Sequence, residues 1–278
     1  MFDELHDDSR SWNRAELRAA GMTQRAIAAA LEGGTLIRAH RGVYVLPEAW
    51  EDARVAASIG GLLGCVSALA ATSIFVLAHT ALHVHVAPHA TRLRKSERAI
   101  VTHWRPLRRQ THPGALRVEL FDALLQATIC QTPRAAVATL DSALHLGLID
   151  EFDLDEIFRH VPARRLSLRA LVDGTAESGP ETFVRLILRS LGLSYQTRVS
   201  IDGVGRVDFV VEGWLIVECD SRAFHSGWDA QQEDRRRDLA AAARGYATLR
   251  PVAADIFDNP DMIRASIRGI VEGGWQRR

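Results

Sequence analysis

The chain has 278 residues, with 34 basic and 34 acidic side chains, so its formal net charge is zero at neutral pH. That balance excludes a protein held to nucleic acid by its overall field, and any such surface has to be local. A composition 47% apolar and 24% charged is that of a globular chain, long enough for two or more domains.

Lys95 is the only lysine, a bias expected from codon usage in a GC-rich genome rather than from phosphate chemistry. The cysteines, Cys65, Cys130 and Cys219, are scattered, odd in number and set among apolar residues. They read as buried thiols in a reducing cytosol. The acidic start is unlike a signal peptide, and no apolar run reaches membrane-spanning length. A cytoplasmic protein with no membrane partner is expected.

Residues 1–10 are polar. Helical patterns follow at 13–20 and 23–32, with Thr23 as N-cap of the second and Gly33-Gly34 as its stop. Short apolar runs at 36–38 and 43–45 flank Arg41-Gly42 and predict a small hairpin. Helix, turn, helix and two-stranded wing is the layout of a winged helix-turn-helix over residues 1–50. In that layout Gln24 and Arg25 open the recognition helix, and Arg38, His40 and Arg41 sit on the wing. The stretch RAELRAAGMTQRAIAAALEGGTLIRAHRGVYVLP, closing on Arg41-Gly42-Val43-Tyr44-Val45-Leu46-Pro47, resembles the N-terminal domain of AbiEi-type antitoxins. The resemblance implies either DNA contact through Gln24, Arg25, Arg38 and Arg41 or a wing that is purely structural or docks protein. The balanced charge of residues 1–50 leaves both open.

Residues 51–172 predict an α+β middle domain. Helices are expected at 48–59 and 67–76, strands at 82–87, 100–104 and 116–120, and helices at 121–130, 133–146 and 153–159. The order loosely resembles the segment that follows this winged helix in longer antitoxin-like chains, and it brings no catalytic motif. His83 and His85 share a strand face, with His79, His89, His103 and His112 nearby. Metal ligation by them is open, although no spacing among them matches a structural zinc pattern, and the plain alternative is an ordinary polar strand face. Between Arg92 and Arg117 there are eight basic residues and one acid, Glu97. This cluster reads equally as a phosphate-contacting patch or as solvated loops.

A breaker-rich linker, residues 173–180, precedes the part that carries chemistry, residues 178–278. A helix at 181–191 has Phe183, Val184, Ile187, Leu188 and Leu191 on its apolar side and stops at Gly192. Ser178 and Glu181 form S-x-x-E, a capping box, so the plain role of Glu181 is to satisfy backbone donors. A strand is expected at 195–199, then a hairpin, a helix at 231–244, a strand at 246–250 and a helix at 262–271.

In the hairpin, Val207, Phe209 and Val211 alternate with Arg206, Asp208 and Val210. Leu215, Val217 and Cys219 alternate with Ile216, Glu218 and Asp220 in its second strand. Carboxylates on such strands cost desolvation free energy unless a cation meets them. A two-residue loop at 212–213 would separate Asp208 and Glu218 onto opposite faces. A three-residue loop at 211–213, with Gly213 left-handed, pairs Val210 with Trp214 and makes Asp208 a diagonal neighbour of Glu218, about 7–8 Å away. The three-residue loop is expected.

The ordered motifs Pro180-Glu181, Arg206-Val207-Asp208-Phe209, Val217-Glu218-Cys219-Asp220 and Phe224-His225 continue with Asp234-Arg235-Arg236-Arg237-Asp238 and Gly245-Tyr246-Ala247-Thr248-Leu249-Arg250. Together, over about residues 178–258, they resemble the very-short-patch-repair-like branch of PD-(D/E)XK endonucleases. The resemblance implies an αβββαβ core inside a mixed α/β protein and Mg²⁺- or Mn²⁺-dependent hydrolysis of DNA. Asp208, Glu218 and the Cys219 carbonyl would hold the metal, and Glu181 would position a second metal or a water. His225 would be general acid or base, and Asp220 would tune the metal or orient His225.

Arg236 and Arg237 would hold phosphate, with Asp238 paired to one of them. Ser221 departs from the glycine usual after Glu-x-Asp, and a left-handed backbone there would strain serine. The expected function is a metal-dependent endonuclease acting in repair or defence. The alternative is a non-catalytic DNA-binding regulator of a toxin–antitoxin system. DNA is the expected partner, a toxin or repair protein a further one, and the oligomeric state is open.

Overall fold

Local caps decide where the first helices begin. Asn13 accepts the Ala15 and Glu16 N–H groups (2.8 and 3.0 Å) and receives Glu16 on its own N–H, so α1 (Arg14–Ala19) starts in a closed capping box. Thr23 accepts the Ala26 N–H at 3.2 Å and starts α2 (Gln24–Glu32), which ends at Gly33. The computed structural model describes residues 10–77, 80–90, 93–219 and 228–275. It divides into two units, Met1–Ala170 and Leu171–Arg278.

In the first unit, β1 (Ser11–Trp12), β2 (Ile37–His40) and β3 (Val43–Val45) form a sheet in the order β1-β3-β2. The hairpin turns at Gly42, whose φ of 81° suits glycine. Trp12, Leu17, Met22, Ile27, Leu36 and Tyr44 close a small core between this sheet and the two helices. Arg10 bridges to Ala115, and the Ser11 N–H donates to the Gly114 carbonyl at 2.6 Å, so this part and the middle segment are knit within one unit.

The chain continues through α3 (Glu51–Ile59), β4 (Leu62–Leu63), α4 (Cys65–Ala70), β5 (Leu82–His85) and β6 (Ile100–His103). The sheet order is β4-β5-β6, with β4 antiparallel and β6 parallel to β5. The strand expected at 116–120 is not formed. Arg117 makes only an isolated bridge to Leu63, and from Leu120 the chain is already helical in α5 (Leu120–Cys130). Helices α6 (Pro133–His145) and α7 (Glu151–His160) follow. Leu124, Leu140, Leu154 and Ile157 from α5–α7 are fully buried, which places these helices around the core of the unit.

The second unit opens with α8 (Gly179–Leu191), stopped by left-handed Gly192 at φ 69°. Strands β7 (Tyr195–Ile201), β8 (Gly205–Val211) and β9 (Leu215–Val217) are antiparallel neighbours. After α9 (Trp228–Ala243), β10 (Ala247–Leu249) adds parallel to β9, giving the order β10-β9-β8-β7. Helix, three strands, helix, strand is the order expected from the sequence. Helix α10 (Ala253–Asp258), which was not expected, and α11 (Pro260–Trp275) pack with α8, where Phe183 meets Phe257 edge-on at 5.0 Å. Val204, Val207, Val210 and Ile216 pack with Ala240 and Ala241 of α9.

The hairpin register differs from the expectation. The loop does hold three residues with Gly213 left-handed (φ 76°), but they are 212–214, and Val211 pairs with Leu215. Glu212 is also left-handed, at φ 49°, and the Trp214 N–H donates to the Val211 carbonyl at 3.1 Å. Continued inward past the Phe209–Val217 pair, this register sets Asp208 directly across from Glu218 rather than diagonal to it.

Candidate active site

The carboxylates of the second unit converge around the end of the β8–β9 hairpin. Asp208 Oδ2 accepts the Cys219 N–H at 2.7 Å, which ties the acid to the strand end opposite. The Cys219 thiol is pushed well up by burial and by the charges of Asp208, Glu181 and Glu218, so all three acids act on one point. Burial also raises Asp208, Glu181 and Glu218 themselves above the ordinary carboxylate range. Each acid is thus held where its ionised form is costly.

Their partners differ. Among the described residues, no arginine, lysine or histidine lies at ion-pair distance from Asp208 or Glu181. Glu218 Oε1 meets Arg237 Nη2 at 3.0 Å, and its Oε2 meets Arg250 Nη2 at 2.9 Å. Arg250 also reaches Asp238 at 3.0 Å and Asp234 at 3.3 Å. The expected pairing of Asp238 with Arg236 or Arg237 is therefore replaced by one with Arg250. Those two arginines share a helix with Asp238, whereas Arg250 arrives from the end of β10. Arg237 is spent on structure as well, donating to the Val204 and Arg206 carbonyls at 3.0 Å each. Arg236 is exposed beside Glu233, at 3.7 Å.

Glu181 caps its helix in a variant of the expected box. Its N–H donates to Ser178 Oγ at 3.3 Å, but its carboxylate accepts from the Glu177 N–H (3.0 Å) and the Ser178 hydroxyl (2.8 Å). Glu177 is in turn held by Arg198 (3.3 Å) and Arg206 (2.7 Å). Arg198 lies in β7 between the Thr197–Phe209 and Val199–Val207 pairs, abreast of Asp208, with a left-handed φ of 53°. Such a backbone costs an L-residue about 1–2 kcal/mol, and strain of this kind clusters at functional sites.

Two half-buried carboxylates without a salt bridge among the described residues suit a hard divalent cation. Asp208 and Glu181 meet that description, with the charges of Arg206 and Arg237 offsetting part of the rise that burial gives Asp208. Glu218 fits less directly, since both its oxygens already hold arginines. Asp220 and His225 lie outside the described residues, as does Ser221.

Gln24 and Arg25 are exposed at the start of α2, and Arg38 and Arg41 are exposed on β2 and its turn. Of the basic cluster near residue 100, Arg98 pairs with Asp52 and Arg109 with Glu156 (2.7 Å), so part of it is neutralised within the unit. Arg92 lies outside the described residues.

The first unit holds a group that sequence spacing did not reveal. Cys65, His83, His103 and Cys130 bring one ligand atom each within 4.8 Å of one another. His83 Nδ1 and His103 Nε2 are 3.0 Å apart, and Cys130 Sγ lies 3.9 Å from His83 Nδ1. Cys130 is exposed, against the expectation of a buried thiol, because it is the last residue of α5. His83 and His103 thus lie within reach of two thiols as well as of each other.

No helix among the described residues is long and apolar enough to cross a membrane. No family model matches the chain, and no curated protein matches it. Among solved structures, the catalytic domain of the homing endonuclease I-Bth0305I is similar over 32% of this chain and 89% of that domain, at 22% identity and a TM-score of 0.29. At that TM-score the likeness says nothing about what this chain does.

Proposed function

We propose that the second unit is a divalent-metal-dependent endonuclease of the PD-(D/E)XK kind, close to its very-short-patch-repair-like branch, and that the winged-helix-like start of the chain contacts DNA. The observation that carries this reading is the pair Asp208 and Glu181, half-buried, raised chiefly by desolvation and without a salt bridge among the described residues. The order of elements α8-β7-β8-β9-α9-β10, with the acids at the helix start and the hairpin end, supports it further.

Mg²⁺ or Mn²⁺ bound there would polarise a phosphodiester and acidify a water. Asp208 and Glu218 would hold it with the Cys219 carbonyl, and Glu181 would orient a water or a second ion. Arg237 and Arg250 counter the rise that burial gives Glu218 and fix the orientation of its carboxylate. His225 would move the proton, a role worth about 10²–10⁴-fold in rate, and Asp220 would tune the metal or orient His225. Gln24, Arg25, Arg38, Arg41 and Arg236 supply contacts to the phosphate backbone.

A non-catalytic DNA-binding regulator is the second reading, favoured by the arginines that occupy both oxygens of Glu218. Supercoiled plasmid incubated with Mg²⁺ or Mn²⁺ separates the two. Metal-dependent nicking that vanishes with EDTA, in Asp208→Ala and in Glu218→Ala supports the nuclease. Absence of nicking, with salt-sensitive DNA binding unchanged in all versions, supports the regulator.

A further inference from the structure

The geometry points to a structural zinc site in the first unit, formed by Cys65, His83, His103 and Cys130. Zinc takes thiolate and imidazole ligands at about 2.3 and 2.0–2.1 Å, so a tetrahedral Cys₂His₂ shell has ligand–ligand edges of about 3.3–3.8 Å. The ring nitrogens at 3.0 Å, the Cys130–His83 contact at 3.9 Å and the 4.8 Å limit on all pairs lie around those edges. The four ligands leave no open position, which is the structural rather than the catalytic form of a zinc centre.

The ligands come from separate elements that the ion would tie together. Cys65 is the first residue of α4, His83 lies on β5, His103 on β6 and Cys130 at the end of α5. The parallel β5–β6 pairing sets His85 opposite His103, so His83 and His103 are diagonal neighbours, with rings stacked at 5.2 Å and 28°.

Around them the chain is built to hold position. Cys65 has a left-handed φ of 50°, and its N–H donates to Gln126 Oε1 at 2.9 Å. Gln126 Nε2 lies 3.3 Å from His85 Nδ1, and the His83 N–H donates to Ser67 Oγ at 2.9 Å. A Cβ at Gly64 would come within 2.7 Å of Gln126 Oε1, so glycine lets that side chain reach the cysteine. Two thiolates balance the charge of Zn²⁺, and binding releases the protons that the two thiols carried. Exposed Cys130 supplies the route by which the ion enters.

The full chain, purified without chelator, is expected to carry about one zinc per molecule by elemental mass spectrometry. Cys65→Ser and His103→Ala are expected to lose it, and Asp208→Asn, in the other unit, to keep it. Should the first two variants fail to fold, His103→Cys keeps the site testable, because Cys₃His is also a structural zinc set. Loaded with Co²⁺, the natural chain should show tetrahedral visible bands with thiolate-to-cobalt charge transfer, and His103→Cys should strengthen the latter. Zinc below about a tenth of an equivalent would overturn the site, as would zinc retained in the Cys65→Ser/Cys130→Ser double variant. A cobalt spectrum indifferent to His103→Cys, or a Cys65–Cys130 disulfide in fresh protein, would do the same.

Discussion

Arg250→Met tests how the acid cluster is held together. Methionine keeps much of the apolar stem and removes the guanidinium that joins Glu218, Asp234 and Asp238. The Glu218 side chain is only 13% exposed and that of Arg250 23%, so this contact is mostly desolvated, whereas the two aspartates are better solvated. Breaking a buried pair costs about 3–5 kcal/mol, and each solvated pair about 0.2–1 kcal/mol.

Arg237 stays on Glu218 at 3.0 Å and offsets part of the first cost, so a loss of about 3 kcal/mol is expected at neutral pH. The pH dependence follows from Glu218, whose folded-state pKa lies above its ordinary 4.5 because of burial. Its ionisation in the folded protein is a cost, present in full above the folded-state pKa and gone below the unfolded one. The variant should therefore approach the natural protein as the pH falls toward 4.5. Native-state hydrogen exchange at the amides of β8 and β9 reads the opening free energy of this unit directly. A loss below about 1 kcal/mol at neutral pH, or a deficit that widens on acidification, would refute the reasoning.

Asp208→Asn should abolish nicking yet raise the melting temperature in EDTA at pH 7, since the amide keeps an acceptor for the Cys219 N–H without a buried charge. Because Asp208 is raised above 3.8, that benefit is present above its folded-state pKa and disappears as the pH falls below 3.8. A lower melting temperature at pH 7 would argue against it. Gly64→Ala should cost about 1–3 kcal/mol by urea denaturation, as the methyl group displaces Gln126 from Cys65, although no ligand is altered. Arg38→Ala with Arg41→Ala should weaken DNA binding across sequences and lessen the salt slope by about one unit per lost phosphate contact. An unchanged slope would remove the wing from the DNA interface.

Local signals served the sequence reading well where one segment decides the outcome. Thr23 and Ser178 cap helices because their oxygens reach donors three residues on, and Gly192 stops α8 because it is free to turn left-handed, whereas Asn13, expected as the first helical residue, is the N-cap instead. The αβββαβ order of the second unit follows from period-two runs broken by glycine turns. The hairpin register slipped because Glu212, not only Gly213, adopts a left-handed backbone, and that choice is not written in the propensity of glutamate. Asp238 finds Arg250 rather than its helix neighbours through the parallel pairing of β10 with β9. Cys65, His83, His103 and Cys130 sit 18, 20 and 27 residues apart in turn, on a helix start, two strands and a helix end. No short spacing announces them, and only the β5–β6 register with the ends of α4 and α5 brings them together.

A titration of the chelator-treated full chain with Mn²⁺, followed by electron paramagnetic resonance at neutral pH, reads the carboxylate site most directly. Hard oxygen ligands favour Mn²⁺, whereas the thiolates and imidazoles of the first unit do not select it. Binding weakened at least about tenfold in Asp208→Asn, together with loss of nicking, is the expected result. Mn²⁺ binding and nicking that both survive Asp208→Asn would place the chemistry elsewhere and contradict the nuclease reading of this unit.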